Sequence, residues 1–147
     1  MIKSLTIAVS ILLALAADAM ARDEISGPVS AEIIRVIDGD TLLVEAQPWP
    51  QQKMEVYVRI RGIDTPELKS KCQTIRAAAS DARQMMEQLA GQSTHIQLIR
   101  ISGDKYFGRI VADVIFADGQ SAADNLLLAG LARPYDGGRK PKEACGD

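Results

Sequence analysis

The sequence predicts an α+β, mainly β domain: a five-stranded barrel with flanking helices. Three observations predict it. Five segments are rich in β-branched residues, several with clear period-two alternation, whereas two others read as helical. These fall in the order three strands, helix, two strands, helix, which suits a small barrel of the OB type. The chain has 147 residues, enough for a single hydrophobic core.

The strands come first. Ser30 to Val36 is β-branched and runs into Asp38-Gly39-Asp40, a tight turn; Thr41 to Glu45 is the second strand. Gln47 to Gln52 is expected to be a loop, because Pro48 and Pro50 cannot serve a central strand. In the third strand, Met54 to Ile63, residues Val56, Val58 and Ile60 face one way and Tyr57, Arg59 and Arg61 the other. Asp64-Thr65-Pro66-Glu67 interrupts it. From Thr74 to Leu89 the period becomes helical, with Ile75, Ala78, Ala82, Met85, Met86 and Leu89 on one side and Gly91 as the expected stop. Strands near Thr94 to Ile101 and Ile110 to Phe116 follow. Ser121 to Asp124 resembles a capping box opening a short helix that ends at Gly130.

Residues 1–21 read as a cleavable secretory signal: Lys3, an apolar run from about Leu5 to Ala17, then Ala19 and Ala21 before polar Arg22. The domain is then expected over residues 22–147, periplasmic or secreted, monomeric and free of the membrane once processed. The formal charge is −2, too little positive charge to coat a polyanion. Any nucleic-acid contact must rest on a few arginines and a metal, which favours turnover over coating. Cys72 and Cys145 are the only cysteines. An even count in an oxidising compartment predicts one disulfide between them. His95 is the only histidine, so zinc sites of the usual Cys/His kind and nucleases needing several histidines are excluded.

Four segments carry chemistry. Asp38-Gly39-Asp40-Thr41 and Asp64-Thr65-Pro66-Glu67 place carboxylates beside backbone carbonyls, the oxygen donors a hard ion such as Ca²⁺ takes. Arg59 precedes Asp64 on one strand, and Arg109 follows Lys105-Tyr106 in the loop before the fifth. Phosphodiester cleavage needs such parts together: a metal, guanidinium forks for phosphoryl oxygens and a carboxylate to handle water. Arg61 shares the face of Arg59, with a surface salt bridge as its plainer reading. The basic tail (Arg133, Arg139, Lys140, Lys142) reads as a solvated end, with weak phosphate attraction as the alternative.

The runs Val36–Thr41, Val58–Glu67, Asp104–Arg109, Ala117–Gly119 and Leu128–Arg133 together resemble the staphylococcal (thermonuclease-type) nuclease family. The resemblance spans roughly Ser30 to Tyr135. It implies a Ca²⁺ cofactor held by Asp40, Asp64 and the carbonyl of Thr65, with Glu67 as general base. It assigns Arg59 and Arg109 to the scissile phosphate and its transition state, and Lys105 and Tyr106 to a neighbouring substrate phosphate. The implied activity is sequence-nonspecific cleavage of DNA and RNA. Two departures stand out: Phe107 adds a residue between Tyr106 and Arg109, and no clear counterpart of the family's last helix follows Arg133. Arg59, Glu67 and Arg109 are all expected at accessible positions. A catalytically inactive OB-type binding module or periplasmic interaction protein is the alternative, and it would need one of those three to be missing.

Overall fold

The computed structural model describes residues 23–145; the expected signal over 1–21 lies outside them. In chain order the elements are β1 (Glu24–Ile25), β2 (Val29–Asp38), β3 (Thr41–Trp49), β4 (Gln52–Ile60), β5 (Ile63–Asp64), α1 (Gln73–Gln92), β6 (His95–Gly103), β7 (Arg109–Phe116), α2 (Ala122–Leu128) and β8 (Arg133–Pro134). Among the described residues no helix is long and apolar enough to cross a membrane.

Strands β2, β3, β4, β7 and β6 pair in that order, and β6 pairs back onto β2, closing a five-stranded barrel of the OB type. All these pairings are antiparallel except β4 with β7. Closure demands strong local curvature, and bulges supply it. The β2–β3 register shifts twice, between Ile33 and Arg35 and between Val36 and Asp38. The β6–β7 register shifts between Ile99 and Ser102, where Arg100 adopts a φ of 50°.

Alternation fills the barrel as the sequence predicts. Val56, Val58 and Ile60 turn inward with Leu42, Val44, Leu98 and Val114, while Tyr57 faces out. Helix α1 lays Ala79, Ala82, Met86 and Ala90 on the core, and Met85 and Leu89 pack at its margin. The buried face is therefore rotated slightly from the expected one, toward small residues that let the helix approach closely. The helix also runs through Gly91 to Gln92, because one glycine in a final turn weakens a helix without stopping it. Ser121 caps α2 by accepting a bond from the Asp124 N–H, as its sequence suggests.

The expected loop at Gln47 to Gln52 is mostly strand. Strand β3 continues to Trp49 and β4 starts at Gln52. Pro48 is tolerated because the β3–β4 ladder is irregular between Ala46 and Trp49, where a missing N–H breaks no regular pairing. Conversely, the third strand ends early. Gly62, at φ 82°, separates β4 from β5, and β5 pairs instead with β8.

The expected disulfide is present: Cys72, immediately before α1, is bonded to Cys145. Gly39 is the other joint of the fold. A Cβ there would lie 2.7 Å from Ala82 Cβ on α1 and 2.8 Å from Thr65 Cγ2. The acidic turn thus packs against both the helix and the segment after β5 only because position 39 lacks a side chain. Gly39→Ala should lower unfolding free energy by about 1–3 kcal/mol through overpacking, measured by urea denaturation.

Candidate active site

Cross-strand pairing brings the first two site residues together. Thr41 stands opposite Arg59 in the β3–β4 register, and the Ile60 N–H donates to the Asp40 carbonyl at 2.8 Å. Asp40 is thereby fixed beside the end of β4. The turn at Gly62 then brings the chain back, so that Asp64 returns to Arg59 from five residues on. Arg59 Nη1 lies 2.8 Å from Asp40 Oδ2, and its Nη2 donates to Asp64 Oδ1 at 3.1 Å.

This arrangement is largely buried. Side-chain exposure is 12% for Arg59, 8% for Asp40 and 2% for Asp64, so Arg59 is not the accessible residue the sequence suggests. Asp40 is held further by the Thr41 hydroxyl at 3.1 Å and the Thr65 N–H at 2.8 Å. The Asp38 carboxylate accepts from the Asp40 N–H at 3.1 Å. Burial, then the charge of Asp40, pushes the Asp38 pKa up to about 6. Arg59 Nη1 is buried and spent on its ion pair with Asp40. The guanidinium as a whole borders the open cleft, where a fork of donors suits an incoming oxyanion.

The cleft has a volume of about 1190 Å³. Asp40, Arg59, Glu67, Lys105, Tyr106 and Arg109 all line it. Arg109 arrives by register: it pairs with Tyr57, two residues before Arg59 on the same face of β4. It is held by an ion pair with Asp104, and its guanidinium lies 4.7 Å from the centre of the Tyr106 ring. Lys105 lies 5.0 Å from the same ring. The additional residue, Phe107, stands fully exposed in this loop, so the insertion is absorbed by a bulging turn. Glu67, which also lines the cleft, is open to solvent.

Thr65 is buried and lines neither this cleft nor a smaller one of about 430 Å³, which Asp64 and Glu67 border. Three further residues belong to the site. Arg133 grips Asp64 Oδ2 through Nη2 at 2.7 Å and Nε at 3.2 Å. Lys140 Nζ lies 2.6 Å from Asp64 Oδ1 and 3.3 Å from Glu67 Oε1. Tyr135 sits between cations, its ring centre 5.9 Å from the Arg59 guanidinium and 5.7 Å from the Lys140 ammonium. Burial by itself would raise the Asp64 pKa; hydrogen bonds from Lys140 and Arg133 and the charge of Arg59 outweigh it and hold it below the usual carboxylate range.

Sequence reading took Arg133 and Lys140 as a solvated tail, with weak phosphate attraction as the alternative. The signals pointing elsewhere were the Leu128–Arg133 run, which ends on Arg133, and the pairing of Cys145 with Cys72. Arg61 makes the salt bridge of its plainer reading, with Glu24 at 3.8 Å, and its Nη2 also donates to the Arg100 carbonyl and Ser102 Oγ.

Among the described residues no group of three or more His, Cys, Asp or Glu is arranged to hold a metal unaided. The donor chemistry nevertheless fits a hard divalent cation. Asp40, Asp64 and the Thr65 carbonyl are all oxygen donors, with neither thiolate nor imidazole among them. Cations of the chain itself now satisfy the two carboxylates.

The closed barrel carries arginines and carboxylates in one cleft. A family model described as Staphylococcal nuclease homologue matches residues 57–145, more than half of the chain, and the chain belongs to that family. The match begins in β4, so it includes Arg59, Asp64, Glu67, Arg109 and Lys140 but not Asp40. No curated protein matches the chain.

Removing Arg59 would leave two buried carboxylates facing each other. Arg59→Met should therefore cost about 3–5 kcal/mol of stability. Arg109→Ala, at a part-buried ion pair with Asp104, should cost less, about 1–3 kcal/mol. Denaturant titration of the two variants compares these values.

Proposed function

We propose that this chain is an exported, calcium-dependent, sequence-nonspecific nuclease that hydrolyses phosphodiester bonds of DNA, RNA or both. The observation that supports it most is the shared cleft: two arginines and one exposed carboxylate face a common space, beside two buried carboxylates of suitable ligand chemistry. The leader-like start of the sequence and the disulfide support export.

Hydrolysis adds water across a P–O bond, giving a phosphate monoester and a free hydroxyl. Glu67, exposed on the rim, takes a proton from the attacking water. Arg59, which lines the cleft, meets a phosphoryl oxygen in the ground state. Arg109, oriented by Asp104 and stacked on Tyr106, meets charge that grows as the transition state forms. Lys105 and Tyr106 receive a neighbouring phosphate. Asp40, Asp64 and the Thr65 carbonyl would hold the calcium ion, which supplies Lewis-acid stabilisation of the phosphoryl oxygens. The inactive-module alternative gains nothing from the site, since Arg59, Glu67 and Arg109 are present together.

Glu67→Gln should lower the cleavage rate by about 10²–10⁴ while leaving calcium binding intact. Arg109→Ala should lower the rate with little change in nucleotide affinity, whereas Arg59→Ala should lower both. Rates on single- and double-stranded substrates, with nucleotide affinity measured separately on folded protein, test this assignment. A folded Glu67→Gln protein with the parental rate contradicts it.

A further inference from the structure

The segment after β8 forms a strap across the acidic side of the site, fastened at both ends. At its start the Tyr135 N–H donates to the Gly62 carbonyl at 2.9 Å, and the Tyr135 hydroxyl donates to the Gly138 carbonyl at 2.7 Å. At its end Cys145 is bonded to Cys72, five residues beyond Glu67. Between these anchors Lys140 and Pro141 border both the main cleft and the smaller one. The Lys140 ammonium bridges Asp64 and Glu67, carboxylates that come from opposite ends of one acidic turn.

Charge sharpens the meaning of this contact. Asp40, Asp64 and Glu67 bring three negative charges, and Arg59, Arg133 and Lys140 bring three positive ones. Asp38, beside Asp40, and Glu143, 3.8 Å from Arg133, add negative charge at the margin. A divalent cation that binds Asp64 directly must displace one of the cations already on its oxygens. Arg59 is buried between two partners and Arg133 holds Asp64 with two nitrogens. Lys140 is the most exposed of the three, at 42%, and carries the most flexible side chain.

We propose that Lys140, anchored by Glu67, is a tethered cation that competes with the divalent ion for Asp64, and that the Cys72–Cys145 bond sets the strength of that competition. Tethering makes the ammonium an intramolecular ligand at high effective concentration. Opening the disulfide frees one anchor and lowers that concentration. The strap is thus an autoinhibitory, redox-sensitive contact. It rests on the reading of Asp40 and Asp64 as cation ligands.

The test is calorimetric titration of Ca²⁺, with Tb³⁺ luminescence as a second probe, into the oxidised chain lacking residues 1–21. Lys140→Met should bind the ion roughly tenfold more tightly, as when the competent state of the parent is about a tenth populated. Lys140→Arg should retain the weaker affinity. The double variant Cys72→Ser/Cys145→Ser, its fold confirmed by circular dichroism, should bind more tightly than the parent and gain less from Lys140→Met. Unchanged or weaker binding by Lys140→Met, or no binding by any form, overturns the proposal. Cleavage is assayed in parallel: tighter ion binding in variants that never cleave nucleic acid would uphold the strap and sink the nuclease reading.

Discussion

A single guanidinium, that of Arg59, lies between two nearly inaccessible carboxylates, and much of the site is arranged around it. Two acidic turns come together at the end of one barrel strand, where Asp40 and Asp64 would repel each other at close range in a poorly solvated place. Arg59 answers that repulsion from a fixed backbone position opposite Thr41. Gly39 allows the first turn to reach Thr65 and Ala82, and Gly62 bends the second back toward β4. The barrel core, the two glycines and the ion triplet are therefore one construction. Its stability and its chemistry draw on the same residues.

Around this buried triplet the accessible groups divide by side. Arg109, Lys105 and Tyr106 stand on the loop before β7, held by Asp104 and by stacking. Glu67 and Lys140 stand on the side of the strap. A polyanion laid in the cleft would meet cations together with one exposed carboxylate, Glu67, which suits attack on a phosphodiester by water. The overall charge of −2 fits this economy: binding comes from local geometry, with no long-range positive field to retain product.

Much of this was legible in the sequence. Val56, Val58 and Ile60 alternate with Tyr57 and Arg59 in a way that only a half-buried strand explains, and the order of elements follows from the periods. Joint spacing of the acidic and basic runs singled out Asp40, Arg59, Glu67, Lys105, Tyr106 and Arg109, which line one cleft, and also Asp64 and Thr65, which do not line it. What stayed hidden was tertiary. No local pattern shows that Arg59 would be buried between partners, since an arginine on an outward face ordinarily meets water. Nothing local distinguishes Lys140 from Lys142 or Arg139; the β5–β8 pairing, the Tyr135 anchors and the disulfide together bring Lys140 to Asp64. Pro48 misled because a proline in a strand is read against a regular ladder, and here the ladder is irregular.

The most direct test of the account is cleavage by the purified chain lacking residues 1–21, on supercoiled DNA and on RNA, in chelator and after Ca²⁺ is restored. The account predicts no cleavage in chelator, and with Ca²⁺ fragments that show no fixed sequence at their ends. Cleavage that proceeds unchanged in chelator, or a protein that binds nucleic acid with Ca²⁺ present and never cuts it, would contradict it.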